Sequence, residues 1–199
     1  MNKLTLTEDE QDVLQELMNI AYGDATAIVA EMLDAYATLS IPNIRIIEIP
    51  TLLQEMSELK GESYFFSTQA FNGMFSGESA FFIDTQSANN LAKHLELQNT
   101  EDLDDAILEL TNILTTTLTT RLAKEMNTEI KFSLPRISKI PHNEVQTNRT
   151  LQEYSQVIVI DTELKFEDQK INGEIFLLTK DGSIEWLKNQ LKSILEALM

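Results

Sequence analysis

The sequence predicts an α/β fold of the α+β type: two duplicated helix-β-β-β-helix units, related by a pseudo-twofold axis, that form one antiparallel sheet. Three observations predict it. Long stretches of helical apolar spacing alternate with short β-rich stretches, and the order of elements occurs twice along the chain. The segment GESAFFIDT from Gly77 matches GEIFLLT from Gly173, with Leu91 and Leu95 corresponding to Leu187 and Leu191 at the same offset. A three-stranded half could not cover its own apolar face, so the halves must share a sheet.

The first element is a long amphipathic helix from Glu8 to about Asp34, with Val13, Leu14, Leu17, Met18, Ala21, Ala25, Ile28, Val29 and Met32 at helical spacing. Thr7 caps it, with Glu10 three residues on completing a capping box. Strands follow near Ile41–Ile49, Ser63–Phe71 and Ser76–Ile83, with Asn72-Gly73 as a turn, and then a helix from Ser87 to Leu97. The second half repeats the order. A helix spans Asp102–Asn127, strands fall at Ile130–Ile140, Ser155–Glu163 and Asn172–Leu178, and a closing helix covers Ser183–Leu198. Two irregular stretches, Pro50–Gly61 and Pro141–Leu151, occupy equivalent positions; Leu52, Leu53 and Met56 give the first a short helical turn against the body. The organisation is one domain over residues 1–199 with internal repeats at about 8–98 and 101–198.

Composition narrows the function classes. With 199 residues, 43% of them hydrophobic, the chain can bury a core without staples, and the absence of cysteine removes disulfides, thiolate metal sites and cysteine nucleophiles. A balance of 15 Lys+Arg against 32 Asp+Glu leaves a net charge of -17, which disfavours nucleic acid and anionic membrane surfaces. No window approaches the roughly 20 apolar residues of a spanning helix, and the N-terminal stretch lacks an apolar signal region. The expectation is a cytoplasmic protein without membrane insertion.

The chemistry-bearing pattern lies inside the two long helices. Asp12, Glu16 and Asn19 recur as Asp105, Glu109 and Asn112, at offsets i, i+4 and i+7. At about 100° per residue these side chains fall within roughly 60° of one another, on a polar stripe opposite the apolar face. Asn19 is followed after 22 residues by Pro42, and Asn112 after 22 residues by Pro135, so motif and proline are both displaced by 93 positions (112 − 19 and 135 − 42). Composition alone yields a Glu-x2-Asn-x22-Pro match at roughly one in ten thousand positions. Two in register therefore need a cause, either shared function or a relic of duplication.

These residues resemble the CheC/CheX/FliY phosphatases of bacterial and archaeal chemotaxis, whose motif is Asp/Ser-x3-Glu-x2-Asn followed by x22-Pro. Both copies fit, and Asn19-Ile-Ala-Tyr-Gly-Asp-Ala is similar to the family's Asn-Ile-x-x-Gly-Asn-Ala run, with Asp24 in place of Asn. Two motifs resemble the CheC branch more than CheX, which usually keeps one. With the sequence running to Met199, the resemblance carries the expectation of a chain without the additional C-terminal switch domain of FliY. The resemblance implies a central antiparallel sheet with the two active-site helices side by side on one face. It also implies hydrolysis of the aspartyl phosphate on a response-regulator receiver domain such as phosphorylated CheY, terminating a two-component signal. Asn19 and Asn112 would each orient the attacking water through the side-chain oxygen, and Glu16 and Glu109 would pair with the receiver's lysine. Mg2+ would be supplied by the receiver, with no metal or cofactor bound by this chain. The alternative is a non-catalytic adaptor that docks a receiver or a CheD-type partner.

The other positions carry less. Asp12 and Asp105 lie a turn nearer the positive helix N-termini, which favours an acid regardless of function, so their role is supporting. Gly23 continues the first stripe and leaves room for a partner, while its counterpart Thr116 crowds the second. Pro42 and Pro135 set the chain's entry into a strand. Four carboxylates and two Asn on neighbouring helices could bind a cation, but the Glu-x-x-His pattern of such sites is missing. His94 and His142 read as surface residues, Trp186 as an anchor in the core or at a subunit contact, and the Thr115–Thr117 run has no functional assignment.

Overall fold

The computed structural model describes residues 5–39, 43–56, 63–141, 156–179 and 181–198. The chain orders as α1 (Glu8–Met32), β1 (Thr38–Leu39), β2 (Asn43–Glu48), α2 (Ile49–Met56), β3 (Ser63–Gly73), β4 (Gly77–Asp84) and α3 (Thr85–His94). The second half continues with α4 (Thr100–Glu125), β5 (Ile130–Phe132), β6 (Arg136–Pro141), β7 (Gln156–Phe166), β8 (Ile171–Thr179) and α5 (Asp181–Leu198). The strands form one antiparallel sheet in the order β1-β7-β8-β4-β3-β5, with β2 also paired to β7 and β6 to β3.

Strand registers in the two halves correspond. The pair Thr38↔Lys165 in β1·β7 matches Lys131↔Asn72 in β5·β3, and Asn43↔Asp161 in β2·β7 matches Arg136↔Thr68 in β6·β3. Each is carried onto its counterpart by the 93 positions that separate the helical motifs (131 − 38 and 136 − 43). The central pairing maps onto itself: Gly77↔Thr179 and Ile83↔Gly173 exchange under a displacement of 96 (173 − 77 and 179 − 83), which centres the pseudo-twofold axis on Ala80↔Phe176. The difference of three lies in the hairpin between β7 and β8, where residues 165–172 separate Leu164 and Gly173, against 72–76 between Phe71 and Gly77.

Alternation along the strands divides the core into two layers. Phe65, Phe71, Phe81, Ile83, Ile158, Ile160, Leu164, Ile175 and Leu177 meet α1, α3, α4 and α5 on one face. Tyr64, Phe66, Phe82, Val157, Val159, Phe176 and Leu178 lie on the other, where α2 contributes Ile49 and Leu52. The capping box of α1 is formed: Thr7 N donates to Glu10 Oε2 at 2.9 Å, and Glu10 N donates to Thr7 Oγ1 at 3.2 Å.

Several expectations change in detail. The stretch Ile130–Ile140 is two strands, because Pro135 has no N–H to give and Ser133–Pro135 leaves the ladder between β5 and β6. The first strand of that half's counterpart likewise starts early, at Thr38, and yields to helix at Ile49. Asn72-Gly73 is the end of β3 and the turn lies beyond it. Gly73 serves close approach to β5, since a Cβ there would sit 2.4 Å from the Glu129 carbonyl oxygen. Ile28, placed on the apolar face by its spacing, is 43% exposed. His94 is no plain surface residue: its Nε2 lies 2.6 Å from the Leu33 carbonyl oxygen, tying α3 to the end of α1. Pro42 and His142 fall outside the described residues.

Candidate functional site

Helices α1 and α4 pack against each other on the same face of the sheet. Leu14, Met18, Ala21, Ala25 and Val29 of α1 and Ile107, Leu110, Leu114, Leu118 and Leu122 of α4 turn inward. With the apolar faces committed to the core, the opposite stripes are left to solvent. Asp12, Glu16, Asn19 and Gly23 are all exposed along α1, and Asp105 and Glu109 are exposed along α4. Asn112 and Thr116 are half-buried. An added Cβ at Gly23 would meet nothing within 4 Å, whereas Thr116 donates its hydroxyl to the Asn112 carbonyl oxygen at 2.7 Å. The second stripe is the more crowded, as its residue types predict.

Three threonines of α4 also acquire a physical account, while the buried hydroxyl of Thr115 finds no partner among the described residues. Thr111, Thr116 and Thr119 each donate their hydroxyl to the carbonyl four residues earlier, at 2.8, 2.7 and 2.6 Å. Thr111 and Thr119 are fully buried, so a small side chain satisfied by its own helix suits the interface.

The asparagines differ in their surroundings. Among the described residues Asn19 has no hydrogen-bond partner. Asn112 Oδ1 accepts from Gln69 Nε2 at 2.9 Å, and the same Gln69 nitrogen donates to the Ser133 carbonyl oxygen at 2.9 Å. Ser133 is itself pinned to β3, with its N donating to the Ala70 carbonyl oxygen at 2.9 Å and its Oγ accepting from Ala70 N at 3.1 Å. The segment Ser133-Leu134-Pro135 therefore passes beside Asn112. Leu134 at its tip is 86% exposed.

Gln69, Ser133 and Leu134 escape the motif. A signal for the loop exists, since Ser133-Leu134-Pro135 stands 93 positions after Ser40-Ile41-Pro42. Gln69 has no such echo, because position 162 holds threonine; its mark is a polar residue in the inward register of a strand, between Phe65 and Phe71.

Charge on the two helices is one-sided. Helix α1 contains no Lys or Arg, and the two basic residues of α4, Arg121 and Lys124, lie near its C-terminal end, with Arg121 paired to Glu125 at 3.0 Å. The exposed stripes thus offer carboxylates and carboxamides, a surface suited to a cationic side chain and to hydrogen-bonding oxygens. Among the described residues no group of three or more His, Asp or Glu is placed to hold a metal ion, and no helix is long and apolar enough to cross a membrane.

No family model matches the chain. It is 24% identical over 199 residues to the CheY-P phosphatase CheC of Bacillus subtilis, an alignment covering 92% of this chain and 93% of that protein. Its fold is similar to that of FliY from Thermotoga maritima, with a TM-score of 0.74 at 15% identity over 96% of this chain and 99% of the other. It is also similar to CheX of Borrelia burgdorferi, seen in a complex with CheY, BeF3 and Mg2+, with a TM-score of 0.56 at 13% identity over 82% of this chain and 98% of the other. The chain is thus similar to CheC over nearly its full length, and its paired Glu-x2-Asn helices lie on a sheet whose fold is similar to those of FliY and CheX.

Proposed function

We propose that this protein is a phosphatase that hydrolyses the aspartyl phosphate of a CheY-like receiver domain, acting in the cytoplasm to end a chemotaxis or other two-component signal. The observation that carries the reading is the recurrence of Glu16 and Asn19 as Glu109 and Asn112 on the polar stripes of two packed helices; at the exposed Glu16, Asn19 and Glu109 folding asks only for polar residues. Each internal repeat would contribute one site, Glu16 with Asn19 and Glu109 with Asn112.

An acyl phosphate has a good leaving group and a loose transition state, so positioning and charge stabilisation are the main tasks. The side-chain oxygen of Asn19 or Asn112 would accept a hydrogen bond from the attacking water and hold it in line. Water oxygen bonds to phosphorus, the bond from phosphorus to the aspartate oxygen breaks, and the aspartate leaves as a carboxylate. Glu16 and Glu109 would pair with the lysine at the receiver's phosphorylation site and so fix the docked register. Mg2+ would arrive with the receiver, as part of the substrate. The complex of the related CheX with CheY supports a receiver as partner. CheD is a further candidate partner on the family resemblance alone.

The test follows phosphoaspartate loss from a panel of Mg2+-loaded receivers with the wild type, Asn19→Ala, Asn112→Ala and the double variant. Acceleration of one receiver's decay, abolished when both asparagines are gone while binding persists, is the expected result. If a receiver binds but its decay never changes, the protein is an adaptor.

A further inference from the structure

Two hydrogen bonds from one nitrogen fix the orientation of two amides. The Ser133 carbonyl only accepts, so the Gln69 atom 2.9 Å from it is the nitrogen. That nitrogen's other hydrogen points to Asn112, and a donor there requires Oδ1 as the acceptor, which turns Nδ2 of Asn112 away from β3. Gln69 cannot easily swing out of this arrangement. It is 2% exposed, flanked in its register by the fully buried Ser67 and Phe71, and gripped by a loop whose own serine is bonded twice to the adjacent Ala70.

We propose that Gln69 is the positioning residue of the second site, holding the Asn112 carboxamide in a single orientation. This rests on the phosphatase reading above. One lone pair of Oδ1 is committed to Gln69 and the other is left for the attacking water, so the water has one place to bind. The first site lacks the device. The residue 93 positions after Gln69 is Thr162, which carries no amide, and Asn19 stands exposed without a partner among the described residues. The second site is therefore the prepared one, and the first must order its asparagine on docking.

The test compares each site alone. Asn19→Ala leaves the second site, and adding Gln69→Leu should lower its kcat about three- to tenfold with KM unchanged, the effect of freeing one side chain that was held. Asn112→Ala leaves the first site, and adding Gln69→Leu should cause no further loss. Equal losses in both backgrounds would mean that Gln69 acts through the fold, and no loss in either would mean that it holds nothing of consequence; both overturn the proposal. If Gln69→Leu does not fold, 15N relaxation of the side-chain amides in the wild-type protein decides. Asn112 Nδ2 should show an order parameter near that of rigid backbone, about 0.85, and Asn19 Nδ2 one below about 0.6. Equal mobility overturns the proposal. This measurement needs no receiver, so a failure to dephosphorylate any receiver would sink the phosphatase reading without deciding the fate of the Gln69 contact.

Discussion

Replacing each motif asparagine with alanine should change stability in opposite directions, and the size of the gap follows from the contacts. Both residues sit inside helices, where alanine is favoured over asparagine by up to about 0.7 kcal/mol, so this term is common to the two substitutions. At position 19 nothing opposes it: the side chain is exposed and has no partner among the described residues, and Asn19→Ala should stabilise by about 0.5 kcal/mol. At position 112 the substitution removes the acceptor of an N–H of Gln69, a residue that is 2% exposed. Stranding such a donor costs about 1–2 kcal/mol, which outweighs the propensity gain. Asn112→Ala should thus destabilise by about 0.5–1.5 kcal/mol, and the two variants should differ by about 1–2 kcal/mol. Urea denaturation with a shared m-value measures the gap directly. Two equal shifts, of either sign, would refute the claim that the asparagines occupy different environments.

Two further outcomes follow from single residues. Burial, then the charges of Asp84 and Glu174, push the Tyr64 phenol up to about 12. The unfolded chain releases this proton near the ordinary value of about 10, so between pH 10 and 12 it binds fewer protons than the folded one, and stability falls as pH rises. Tyr64→Phe should flatten that part of the alkaline unfolding profile; an unchanged profile would show that Tyr64 does not contribute to it. Gly23→Ala should stabilise by about 1 kcal/mol, since it sits inside a helix and an added Cβ meets nothing within 4 Å. The same variant in the Asn112→Ala background should slow first-site turnover if a partner approaches the stripe closely there, and unchanged turnover would remove Gly23 from the docking surface.

The helices and the sheet partners were legible for different reasons. Helix α1 announces itself through Thr7, Glu10 and a long apolar period, and the capping box forms as read. The displacement of 93 placed α4 and its stripe as well, because the second half shares the spacing of the first along with its residues. What the pattern could not resolve was the break at Ser133–Pro135. A strand reading sums β propensity over a window, whereas the break depends on one missing N–H and on a serine bonding back to Ala70 across the sheet. Gly73 was misread for a similar reason: Asn-Gly is a strong local turn signal, and the close approach of Glu129 is not local. Gln69 was invisible to the repeat because its counterpart is threonine, and its meaning depends on which helix lies over β3.

The two halves therefore agree where the helices face solvent and differ where a strand faces a helix. Packing does not explain the agreement at Asp12, Glu16, Asn19, Asp105 and Glu109, exposed positions that tolerate any polar residue; of the six motif residues only Asn112 is half-buried. The difference lies beneath Asn112, in a buried amide that the other half lacks. A pseudo-twofold sheet permits this separation, because α4 of the second repeat lies over β3 of the first, whose symmetry counterpart is β7 of the second. A change at one strand position alters the support of one asparagine and leaves the other untouched. On the proposed function, two sites built from one motif would then be tuned independently from inside the core, without altering the residues that a partner would meet.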